Sequence, residues 1–184
     1  MEAEKIQNWN RTTDAIYKNV LLYSIAGICA AVFNMVPGLG WFVDMFNFCV
    51  VAGFIAFFLR IKDMALLVDD ADAAAAKKLS NGVLVYILSL ILGEIIGIGW
   101  LLGPIAVIVS CVLMLLGYSA LKKSETFPGK DGMKMLFIAM ILGIIGGVFD
   151  IIPGIGAIIG GIFYIIEFVM VLLGWKKVAT PVAE

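Results

Sequence analysis

The chain has 184 residues and a formal net charge of −1 at pH 7; 62% of its residues are hydrophobic and 15% are charged. Soluble domains sit nearer half apolar, and a charge this close to zero leaves no electrostatic footprint for nucleic acid. There is no histidine, which removes the commonest acid–base group and metal ligand.

All 13 Lys and Arg residues fall in four polar segments, Met1 to Asn19, Arg60 to Ser80, Lys122 to Lys134 and Lys176 to Glu184. Long apolar blocks separate them. The first polar segment carries Glu2, Glu4, Lys5, Arg11 and Asp14, with no short apolar core ending in a small-residue cleavage site. The first apolar stretch therefore reads as an uncleaved anchor. An apolar run of about 20 residues crosses a bilayer as a helix. Six such runs are expected: Tyr17 to Met35, Trp41 to Leu59, Gly82 to Ile96, Trp100 to Leu121, Met135 to Ile152 and Ala157 to Trp175. Alternating β-barrel patterning is absent.

The expected fold is all-α: a single integral membrane domain over 1–184, with six transmembrane helices arranged as three tandem helical-hairpin repeats. The repeats run over about 17–60, 81–121 and 135–176, with cytoplasmic linkers at about 61–80 and 122–134. The repeat reading rests on register. When Gly27-Ile28 is laid on Gly143-Ile144, Val32-Phe33-Asn34 falls on Val148-Phe149-Asp150. Pro37-Gly38-Leu39-Gly40 then falls on Pro153-Gly154-Ile155-Gly156 without a gap. The middle block fits with the proline deleted, Glu94-Ile95-Ile96-Gly97-Ile98-Gly99 matching Asp150 to Gly156. Pro cannot continue a helix and Gly tolerates positive φ, so this chemistry ends one helix and lets the next begin.

The three turns carry no Lys or Arg. The positive-inside rule then puts both termini in the cytoplasm, in an inner or plasma membrane crossed several times. Trp41 and Trp100 after the turns, with Tyr118 and Trp175 near the other end, read as interfacial aromatic belts. The turns are apolar for exposed loops, which leaves open a re-entrant wedge; segment length favours full crossing. Val68 to Lys78, with acids at its start and lysines at its end, reads as a short helix on the cytoplasmic surface between the first two hairpins. Lys122 to Lys134 reads as a loop.

Candidate chemistry is sparse. Cys29, Cys49 and Cys111 lie inside apolar blocks without paired spacing and read as small buried residues. Asp44, Glu94, Asp150 and Glu167 are acids in apolar context without a neighbouring cation. Ionisable groups in membrane segments are functional candidates by default. Asn34, Glu94 and Asp150 share one repeat position just before the turn. Together with Asp44 they are expected to cap or brace helix ends; the alternative is a polar vestibule around a pseudo-threefold axis. Glu167, halfway along the last segment, is expected to be buried without a cationic partner, as a neutral acid in the packing or as a proton or cation site. Small-xxx-small pairs such as Gly27 with Ala31 and Gly143 with Gly147 favour close helix approach.

No H-E-x-x-H, G-x-S-x-G or Walker pattern occurs, so no catalytic residue, metal site or cofactor is assigned and an enzyme is not expected. Val36-Pro37-Gly38-Leu39-Gly40-Trp41 and Gly97-Ile98-Gly99-Trp100 resemble the turn of the small bacterial membrane proteins named for a Pro-Gly-Pro-Gly-Trp motif. The second Pro is absent, Ala157 stands in place of Trp in the third block, and no functional residue is carried over. The functional expectation is a non-enzymatic structural or accessory subunit packing with lipid, itself or another membrane protein, without nucleic acid. The alternative is a small channel or transporter lined by Glu167, Asn47, Ser110 and the acids near the turns.

Overall fold

The computed structural model describes residues 3–36, 38–93 and 95–182. Among them the chain is all-helical: α1 (Ala3–Asn34), α2 (Gly40–Ala65), α3 (Asp70–Gly93), α4 (Gly99–Lys123), α5 (Lys130–Asp150) and α6 (Gly156–Val178). All six are long and apolar enough to cross a membrane. Each helix packs on two neighbours, α1 on α2 and α6, and so on round to α6 on α5 and α1. The six helices thus close into a ring in chain order.

α1 and α3 run furthest beyond what sequence patterning indicates. α1 starts at Ala3 rather than Tyr17. Its polar first half holds no Gly or Pro, and Ile6, Trp9, Thr13, Ile16 and Val20 are buried at spacings of three and four on one face. The expected surface helix at Val68 to Lys78 is not a separate element: it forms the first turns of α3. Nothing between Lys78 and Val83 breaks the helix. Asp72, Ala75, Ala76 and Leu79 are buried rather than solvated, because Gly117 of α4 lets Leu79 and the Ala75 carbonyl approach closely. The expected loop at Lys122 to Lys134 shrinks to Ser124–Gly129, as α4 runs to Lys123 and α5 begins at Lys130.

The three turns follow one chemistry. Gly38, Gly97 and Gly154 have φ of 89°, 90° and 88°, the left-handed region that glycine enters without a Cβ penalty. Two residues on, Gly40, Gly99 and Gly156 open α2, α4 and α6. At Gly99 and Gly156 a side chain would overlap the carbonyls of Gly93 and Phe149 at the end of the preceding helix. Pro37 lies outside the described residues; Pro153 sits within the third turn.

Outside the ring, large apolar side chains stay exposed on every helix, among them Leu22, Phe48, Leu88, Leu116, Ile138 and Leu173. Soluble monomers rarely expose contiguous apolar patches beyond about 600 Å². Trp41 and Trp100 are also exposed. Tyr118 and Trp175, expected at the lipid interface, are instead completely buried inside the ring. A helix that is apolar on every face gives no sequence cue to which face turns inward.

The end remote from the turns is tightly closed. Trp9, Ile61, Met64, Leu121, Met133 and Leu136 form a continuous core there. The Ser124–Gly129 loop folds over it, seating Phe127 edge-on to Trp9 with ring centroids 5.2 Å apart. Thr126 donates to Asp69 (2.6 Å) and Ser124 to Asp72 (2.9 Å), holding the loop to the start of α3. Asn10 joins the two ends of the chain: its amide accepts from the Val182 N–H at 3.0 Å and donates to the Val182 carbonyl at 3.3 Å.

Candidate functional site

A cavity of about 460 Å³ occupies the turn end of the ring, and all six helices line it. Its lining follows the helical period. α1 contributes Gly27, Ala30, Ala31 and Asn34, and α2 contributes Val43, Asn47 and Val50. α3 presents Tyr86, Ser89, Leu90 and Gly93, while α6 presents Tyr164 and Phe168. These spacings of three, four and seven place each set on one stripe facing the axis. From Asn34, the last residue of α1, down to Gly27 is two helical turns, a depth of about 10 Å.

The space exists because small residues stand where larger ones would fill it. A Cβ on Gly93 would meet nothing within 4 Å, and Gly103 packs on the Gly93 backbone, drawing α3 and α4 together. At the floor, Gly27 admits the Phe168 ring, which any side chain there would overlap. Pro104 also lines the cavity. Lacking an N–H, it offers the Trp100 carbonyl no donor in the helical ladder.

Several polar side chains singled out from sequence converge here. Asn34, Asn47 and Asp150 all line the cavity, joined by Ser89. Asp150 ends α5, is half buried, makes no ion pair among the described residues, and stands near the Tyr164 hydroxyl. The Tyr164 hydroxyl oxygen is buried without a hydrogen-bond partner among them. Glu94, at the matching position of the middle block, lies outside the described residues.

Others do not join them. Asp44 is exposed and does not line this cavity; nor does it cap α2, whose N-cap is Leu39 with no side-chain hydrogen bond. The helix opens at Gly40, so Asp44 is already a full turn in, past the free N–H groups. α4 and α6 also lack side-chain caps, because glycines set the close turns that replace them. Ser110 donates to the Gly82 carbonyl at 2.7 Å and ties α4 to α3, so it does not line a path.

Glu167 is 5% exposed and lies beside the floor residue Phe168 without reaching the cavity. Its one hydrogen-bond partner among the described residues is the Cys111 thiol, which donates to Oε1 at 3.9 Å. Gly143 makes room for this pair: a Cβ there would stand 2.7 Å from both the Cys111 sulfur and the Glu167 carboxyl carbon.

Beneath the floor the ring interior is blocked by aromatic side chains. Tyr86 stacks on Phe54 (4.4 Å between centroids) and Phe54 on Tyr23 (4.3 Å). Tyr23 meets Phe57 edge-on at 5.7 Å, and Phe57 meets Trp175 at 5.4 Å. The column runs from Tyr86 in the cavity lining to Trp175 towards the charged end. Sequence reasoning missed Tyr86, Ser89, Tyr164 and Phe168 as lining residues. The signal was there in part, since Tyr86, Ser89 and Gly93 repeat at helical spacing on α3.

Comparison of the chain with protein-family models, curated proteins and solved structures finds no match. The turn resemblance is thus a likeness of short motifs, and the functional reading stands on the cavity.

Proposed function

We propose that this chain is a non-enzymatic, multi-pass inner-membrane protein of three tandem helical hairpins, with both termini cytoplasmic, that admits a small solute into a vestibule open at the outer, turn end. The observation that carries this reading is the convergence of Asn34, Asn47, Ser89 and Asp150 from four helices on one cavity. A purely structural subunit has no need of a polar space in its axis, since small-molecule sites are concave, mostly apolar and fitted with a few convergent polar groups. The repeat register, the six apolar helices and the one-sided distribution of Lys and Arg support the topology.

The aromatic column beneath the vestibule argues for a carrier rather than an open channel. A solute reaching Phe168 can go no further until the ring rearranges, as in alternating access around a site near the bilayer midplane. Glu167, directly behind that floor and without a cationic partner, is the residue positioned to couple a proton or cation to the movement.

The test is proton or cation flux into liposomes containing the purified protein, wild type against Glu167→Gln. Flux that the substitution abolishes is the expected result. No flux from folded protein, under either polarity of membrane potential, would overturn the carrier reading in favour of an accessory subunit that packs with lipid or another membrane protein.

A further inference from the structure

We propose that the vestibule takes a small organic cation, an ammonium group carrying an apolar body, with Asp150 as its counterion; this deepens the vestibule reading and rests on it.

The charge of the site has one sign. Asp150 is the charged side chain among the described lining residues, and no Lys or Arg lines the cavity. All 13 cations of the chain belong to the polar segments remote from the turns. The carboxylate therefore stands half buried with no cationic side chain among the described lining residues to neutralise it. Buried charges are ordinarily paired, and an anion would meet repulsion here. The remaining titratable groups facing the cavity are the Tyr86 and Tyr164 hydroxyls, which add no positive charge.

The rest of the lining suits an organic ion better than a bare metal. Four aromatic side chains, Tyr86, Trp100, Tyr164 and Phe168, border the space. Aromatic faces attract cations, most effectively alkylammonium groups that give up water easily. Val43, Val50, Leu90 and Val107 supply apolar wall. The volume of about 460 Å³ falls in the range of small-molecule sites and far exceeds what a dehydrated ion fills. A calcium or magnesium ion takes six or more oxygen ligands at short range. No group of three acidic or thiol side chains converges among the described residues to begin such a shell.

The test uses the full chain in lipid nanodiscs and reads its tryptophan fluorescence, since Trp100 borders the cavity. The probes are choline and its uncharged carbon isostere 3,3-dimethylbutan-1-ol. Choline is expected to give a saturable change, and the isostere to bind about tenfold more weakly or worse. Asp150→Asn should weaken choline by a similar factor and leave the isostere unchanged; Asp44→Asn, outside the cavity, should alter neither. Equal affinity for the two probes, indifference of choline to Asp150→Asn, or no saturable response to choline would each overturn the proposal. A companion variant separates this failure from failure of the vestibule itself. Asn47→Cys, in a chain with Cys29, Cys49 and Cys111 replaced by Ala, is treated with a small neutral methanethiosulfonate. Labelling without cation binding leaves the vestibule standing and removes the organic cation; no labelling of folded protein removes both.

Discussion

The two ends of the ring are built from the same six helices by opposite means. At the turn end, glycine and alanine hold the helices around a polar space. At the charged end, tryptophan, phenylalanine and methionine fill the axis completely, and side-chain hydrogen bonds pin a loop over the top. Filled core and hollow space are thereby separated along the axis of the ring: one half is packed, which leaves the other free to stay open.

Two tryptophans test that division most severely. Trp175→Ala removes a completely buried ring from the column and should cost about 3–5 kcal/mol, read as a large drop in thermal unfolding temperature in a fixed detergent. Trp100→Ala, at the rim and 58% exposed, should change stability by about 0.5 kcal/mol or less while weakening cation binding. Equal losses would erase the distinction between the halves.

Two glycines sharpen it at smaller scale. Gly143→Val pushes into the Cys111–Glu167 contact and should destabilise by about 1–3 kcal/mol through overpacking. Gly93→Ala, whose new methyl meets nothing, should be neutral or stabilising by up to about 1 kcal/mol. Unfolding curves of the two variants under one set of conditions compare them directly.

The smallest effect concerns the loop at the charged end. The Thr126 hydroxyl, followed by the Asp72 backbone N–H, holds the Asp69 carboxyl below its usual range. A carboxyl depressed in the folded state stabilises fully above its unfolded value of about 3.9 and loses that contribution as pH falls through the lower folded value. Wild type should therefore melt slightly above Thr126→Ala at neutral pH, and the gap should close below about pH 4. A gap independent of pH would mean that the carboxylate plays no part in seating the loop.

Much of this architecture was legible in the residues. The Pro-Gly-x-Gly register marked the turns where left-handed glycines now stand. The shared position of Asn34 and Asp150 suggested helix capping first and a common polar space only as the alternative; both line one cavity. The burial of Glu167 followed from its apolar neighbours. What the residues withheld is which face of each span looks inward. α4 and α6 are apolar all round, so Tyr118 and Trp175 read equally well as lipid-facing belts or as core. Asp44 misled for a local reason: its distance from the turn suits a cap only if α2 starts later than Gly40. The fusion of Val68–Lys78 into α3 was hidden because Ser80-Asn81-Gly82 resembles a helix boundary. Only Met114 and Ser110 of the neighbouring helix, crowding Gly82, explain why it is not one.

Because the main helix packing follows chain order round the ring and Asn10 meets Val182, the order of helices is cyclic and has no seam. A chain whose two ends are joined by a linker and that is cut instead at the α2–α3 or α4–α5 connection would keep every helix–helix contact. Circular permutants are therefore expected to assemble the same vestibule, with the connectivity of the polypeptide mattering less than the succession of its faces.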